Sequence, residues 1–89
     1  MTTEGFVPRT TLKTNDLKKG ASVILRNGWK ATIEDNMRGN TRLATVFGDF
    51  TEMGSVYSHD IAVAVVNGNS IPIEHTPAQL KLRAQVDAL

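Results

Sequence analysis

Asn27-Gly28 stands between two short runs of strand-forming residues, 21–26 and 29–34, and this dipeptide is the strongest short-range hairpin signal a sequence offers. The run before it, Ala21-Ser22-Val23-Ile24-Leu25-Arg26, is rich in β-branched and aliphatic side chains. In the run after it, Trp29, Ala31 and Ile33 alternate with Lys30, Thr32 and Glu34, so one face is apolar and the other meets water. An antiparallel pair is therefore set early, and the remaining chain must add to it. With 89 residues it must do so around one core, because so short a chain cannot divide its apolar side chains between two.

Further strands follow in meander order. Residues 41–47 place Leu43, Thr45 and Phe47 on one face and Arg42, Ala44 and Val46 on the other. Residues 61–66, Ile-Ala-Val-Ala-Val-Val, are apolar on both faces, which predicts a strand covered on both sides. Asn67-Gly68 signals a second hairpin, and Ile71-Pro72-Ile73 is a short strand whose proline, lacking an N–H, belongs at an edge or bulge. Thr76-Pro77 then supplies an N-cap and a proline at the first helical position, with Leu82, Val86 and Leu89 at i, i+4 and i+7. The expected fold is a mainly β domain: a small antiparallel SH3-like barrel of about five strands with a short C-terminal α-helix over about 77–88. A turn-forming cluster at Asn15-Asp16-Leu17-Lys18-Lys19-Gly20 marks where the barrel domain, 15–89, begins. Residues 1–14 lack an apolar period and read as a flexible N-terminal arm.

Composition narrows the function classes. No apolar run approaches the roughly 20 residues of a membrane-spanning helix, so no membrane role is expected. Ten Lys plus Arg balance nine Asp plus Glu, so any binding to nucleic acid must come from a local patch. There is no cysteine, which excludes disulfides and thiolate zinc sites. The first ten residues, with Glu4 and Pro8, lack the order of a signal peptide, and a cytoplasmic site of action is the expectation.

Catalytic letters are few. Ser58-His59-Asp60 contains a nucleophile, a base and a carboxylate, but neighbours along an extended chain point to opposite sides and form no relay by themselves. As a metal pair, His59-Asp60 would need His75 or Glu52 as a third ligand. No metal site, cofactor or enzymatic activity is expected. What remains is a set of cationic and aromatic side chains near hairpin ends, Arg26, Trp29, Lys30, Arg38, Arg42, Tyr57 and His59. A guanidinium beside indole and phenol rings suits a flat anionic ligand such as a nucleotide. Residues 48–60 lose clean alternation and read as a 13-residue loop, longer than a barrel hairpin requires. Thr51, Glu52, Ser55, Tyr57 and His59 from that loop, with Arg26, Trp29 and Arg42, form the candidate ligand-binding site. The rival account is that Phe50, Met53 and Val56 tuck the loop onto the barrel.

Asp16-Leu17-Lys18-Lys19-Gly20, Arg26-Asn27-Gly28-Trp29, the run from Gly48 through Tyr57-Ser58-His59-Asp60-Ile61, and Thr76-Pro77-Ala78-Gln79-Leu80 together resemble a family of small bacteriophage proteins. The likeness covers roughly residues 12–83, and LKKG followed by RNGW is similar also to KOW-type SH3-like barrels. The resemblance implies a short accessory protein in the cytoplasm of an infected bacterial host, and no activity comes with it. The expectation is a non-enzymatic anti-defence protein, a homo-oligomer, that binds and sequesters a small anionic, nucleotide-like host signal. The alternative is an SH3-like protein- or nucleic-acid-binding module that inhibits or redirects a host or viral complex. Self-association is expected through the outer face of residues 61–66 or through the Leu82, Val86 and Leu89 stripe.

Overall fold

The hairpin at Asn27-Gly28 forms, but with a different turn from the two-residue loop that the dipeptide favours. In the computed structural model, which describes residues 11–35 and 40–89, β1 is Leu12–Lys13, β2 is Ser22–Leu25 and β3 is Lys30–Asp35. Gly28 N–H donates to Leu25 O at 2.9 Å and Leu25 N–H to Trp29 O at 2.8 Å, while Gly28 takes a φ of +91°. This is a three-residue loop closed by a glycine in the left-handed region, a geometry that leaves Trp29 at the mouth of the turn instead of within β3. The second predicted hairpin is the true two-residue type: Asn67 at φ 52° and Gly68 at φ 80° join β6, Ile61–Val66, to β7, Asn69–Glu74.

The described residues hold seven strands where five were expected, in the order β1-β7-β6-β2-β3-β4-β5. Both additions correct the sequence reading. β1 takes the end of the predicted arm and pairs in parallel with β7, Leu12 opposite Ile73 and Lys13 opposite Glu74; residues 1–10 of that arm lie outside the described residues. The stretch read as a 13-residue loop is a strand, β5, Thr51–Tyr57, followed by a one-turn 3-10 helix at Ser58–Asp60. β5 pairs without interruption along β4, Thr41–Phe47, from Phe47 opposite Thr51 to Thr41 opposite Tyr57. Thr51, Val56 and Tyr57 favour extended backbone, and the ladder with β4 outweighs the poor strand propensity of Glu52 and Gly54.

The core lies on one face of this sheet. Val23 and Leu25 from β2, Ala31 and Ile33 from β3, Ala44 from β4, Ile61 and Ala64 from β6, and Ile73 from β7 are buried together with Leu17. A bulge explains how Ile61 and Ala64, three apart, reach the same side: Ile24 opposes Val63 while Leu25 opposes Ile61, so one residue of β6 is skipped. The opposite face of β6 is partly covered, with Val63 and Val65 half-buried. Pro72 sits opposite Val63, on the part of β7 that the two-residue β1 leaves uncovered, where its missing N–H removes no bond of the ladder to β1.

The C-terminal helix α1, Pro77–Asp87, begins as predicted and packs on the Ser58–Asp60 turn. Thr76 and Gln79 form a reciprocal capping box: Gln79 N–H donates to Thr76 Oγ1 at 3.1 Å and Thr76 N–H to Gln79 Oε1 at 3.0 Å. The amide of the same Gln79, buried, donates to Thr14 Oγ1 at 2.9 Å and so ties the helix start to the segment after β1. No described helix is long and apolar enough to cross a membrane.

Candidate interaction surface

Two turns meet at one end of the sheet. The β2–β3 turn carries Trp29 and the β4–β5 turn carries Gly48, and the two are packed so closely that a β-carbon at Gly48 would fall 2.4 Å from the Trp29 ring. Glycine at this position is what admits the indole. Around this contact the surface is apolar and open: Trp29 is 43% exposed, Phe47 47%, Phe50 76% and Met53 64%. Side chains of this size normally gain by burial; Trp29, Phe47 and Phe50 gather at one end of the sheet, Trp29 on the side of Ala31 and Ile33, and Phe47 on the outer face that it shares with Met53. On the outer face of the sheet Phe47 borders an open groove of about 290 Å³ lined also by Ser22, Ile24, Lys30, Thr32 and Val65. The register explains the groove: Lys30 pairs with Phe47 and with Ile24, and Ser22 pairs with both Thr32 and Val65, so these side chains share one face.

The predicted site residues fall into three separate places. Trp29 belongs to the apolar end just described. Thr51, Glu52, Ser55 and Tyr57 are all exposed along β5, with Thr51, Ser55 and Tyr57 on one face and Glu52 on the other. Arg42 and His59 are buried in the interior. Arg42 donates from Nη1 to Thr41 O and from Nη2 to Asn15 Oδ1, each at 2.7 Å, so its guanidinium serves to hold the segment after β1 against β4. Arg26, expected beside Trp29, turns to the other side. Its Nε donates to Asp60 Oδ1 at 2.8 Å, and Nη1 and Nη2 donate to the two Asp87 carboxylate oxygens at 3.3 and 3.2 Å. This bidentate contact holds the Asp87 carboxyl below its ordinary range and raises the guanidinium further. Arg26 thus latches the end of α1 to the 3-10 turn. Arg38 lies outside the described residues.

His59 has an unusual environment. Its ring stacks on Tyr57 with centroids 4.8 Å apart and planes inclined by 11°, and neither ring nitrogen has a hydrogen-bond partner among the described residues. The approach of Nε2 to Asp60 Oδ1, 3.6 Å, is too long for a hydrogen bond. Burial holds the imidazole below its ordinary pKa, with Asp60 pulling the other way. Ser58-His59-Asp60 is a helical turn, so its three side chains fan outward in different directions, and no relay forms. No cluster of three His, Asp or Glu suited to a metal ion occurs among the described residues.

The sequence places Phe47 on a strand face and leaves Phe47, Phe50 and Met53 outside the candidate site. On the rival account Phe50, Met53 and Val56 tuck the stretch onto the barrel; Phe50 and Met53 are exposed, and Val56 packs against the core. Met53 falls in place once 51–57 is a strand, on the face of Thr51, Ser55 and Tyr57, but no apolar period marks it beforehand, and none marks Phe47 or Phe50 as exposed. No family model, curated protein or solved structure matches this chain.

Proposed function

We propose that the chain is a non-enzymatic binding module of SH3-like build that docks a protein partner on the Trp29, Phe47 and Phe50 end of its sheet. One observation carries this reading: at one end of the sheet Trp29 and Phe50, in two adjoining turns, and Phe47, at the close of β4 beside an apolar groove, stand 43 to 76% exposed. Aromatic residues exposed together are the usual anchors of protein interfaces, because each removes a large area from water at small cost in side-chain entropy. What supports the SH3-like part is the order β6-β2-β3-β4-β5 with a one-turn 3-10 helix between β5 and β6. The phage resemblance supports a partner from the infected host or the virus.

Sequestration of a small anionic ligand has less support. Both arginines assigned to it are engaged elsewhere, Arg42 in the interior and Arg26 on Asp60 and Asp87. The test replaces Phe50 by a photo-crosslinking amino acid in protein produced during infection, with the same group at Ala78 on α1 as the control. A defined partner cross-linked from position 50 alone, whose purified form loses affinity for Phe50→Ala while the melting temperature holds, is the expected result. A nucleotide-like mass retained in native mass spectrometry and lost in Arg26→Ala would instead establish sequestration.

A further inference from the structure

The two ends of the sheet are unlike. β1 is two residues long and carries Lys13, which leaves almost nothing for another strand to pair with. β5 is seven residues long, runs beside β4 with no register shift, and contains no Lys, Arg or Pro. No described strand pairs with its second side, so a row of backbone N–H and C=O groups faces outward.

We propose that β5 pairs antiparallel with β5 of a second copy of this chain, about a two-fold axis through Gly54. This proposal does not depend on the reading above, which concerns the Trp29 end. The strand is self-complementary in this register. Gly54, at the midpoint of Thr51–Tyr57, meets its own copy, and all seven residues are used. Met53 falls opposite Ser55 of the second copy, Thr51 opposite Tyr57, and Glu52 opposite Val56. The one carboxylate of the strand therefore faces an aliphatic side chain and not its own image, whereas a register centred on Glu52 would set like charges face to face. On the outer face, Phe47 already pairs with Thr51, so Tyr57 of the second copy extends that row by one strand. Gly54 itself fits the role. A glycine inside a strand marks a bulge or a close approach of another backbone; β5 has no bulge, and no described residue lies within 4 Å of where a β-carbon would be. The interface is isologous, closed, and distinct from the β6 face and the α1 stripe.

The absence of cysteine from the native chain gives a clean test. Residues directly opposite in antiparallel strands bring their β-carbons to about 4.5–5.5 Å, near disulfide reach. Gly54→Cys should therefore oxidise to a covalent dimer about tenfold or more faster than Ala78→Cys, because the paired strands raise the local thiol concentration. Sedimentation velocity over a concentration series then reads the register through charge. Met53→Lys with Ser55→Lys places lysines opposite each other in two rows and should yield monomer. Met53→Lys with Ser55→Glu places opposite charges there and should restore the dimer. Circular dichroism and melting confirm folding of both variants, whose substituted side chains are exposed. Three results would each overturn the proposal: a wild-type chain monomeric at every concentration, equal oxidation of the two cysteine variants, or a dimer indifferent to both double substitutions and dissociated by Val86→Glu.

Discussion

The six-membered ring of Trp29 occupies the space that a side chain at Gly48 would need, with the hypothetical β-carbon 2.4 Å from two of its atoms. The contact joins the β2–β3 turn to the β4–β5 turn, so the geometry of one hairpin end fixes that of the other. Gly48→Ala should drive the indole outward into water. The expected outcome is a red shift of tryptophan emission, unambiguous because the chain has one Trp, with a stability loss of about 1 kcal/mol by chemical denaturation.

His59 predicts an acid sensitivity. Its folded pKa lies below the ordinary 6.5, chiefly through desolvation, so the unfolded chain binds a proton that the folded chain refuses. Stability is then constant well above pH 6.5 and falls as pH drops below that value, until the folded pKa is reached. His59→Phe keeps a ring to stack on Tyr57 and removes the titration. Melting temperatures followed down from neutral pH should decline in the wild type and stay flatter in the variant through the range just below 6.5.

Arg42 is a buried cation whose hydrogen-bond acceptors come from Thr41 and from Asn15 on a separate segment. Arg42→Met fills much of the volume but removes the donors to Thr41 O and Asn15 Oδ1. A loss of about 3 kcal/mol is expected from the denaturant midpoint. Arg42→Lys should recover only part of it, because one ammonium does not reproduce the fork that reaches both oxygens.

Gln79 acts at both of its ends, capping α1 with its backbone and side-chain oxygen and reaching Thr14 with its amide nitrogen. Gln79→Ala should cost about 1–2 kcal/mol. Gln79→Glu preserves the acceptor of the capping box but loses the donor to Thr14, and should fall between the two in a thermal melt.

Much of this fold is legible in the residues, and what escapes has identifiable causes. Strands β2, β3, β4 and β6 announce themselves by β-branched runs and alternation, and Thr76-Pro77 announces α1. β5 is hidden because Gly54 and Glu52 interrupt its propensity and because an exposed edge strand has no apolar face to repeat. β1 is hidden because two residues carry no period; only pairing with Ile73 and Glu74 makes them a strand. The site reading failed to foresee where the arginines go. Arginine is read from sequence as surface, yet Arg42 stands at a core-facing position of β4 and is retained by partners 1 and 27 positions away. The strand assignment that put Trp29 in line with Ala31 and Ile33 missed that the left-handed Gly28 lengthens the loop by one residue, so the indole stands at the open end of that face, against Gly48 and partly in water.

The bond between Gln79 and Thr14 spans 65 positions and joins the helix to a segment that meets the sheet through a short parallel strand, the Arg42–Asn15 bond and Leu17. The beginning and the end of the described chain are thereby laced into one cooperative unit. Trimming α1 would loosen β1 as well, so amide protons of Leu12 and Lys13 should exchange together with those of the first helical turn, and a protease that clips the helix should next find its cut before β2.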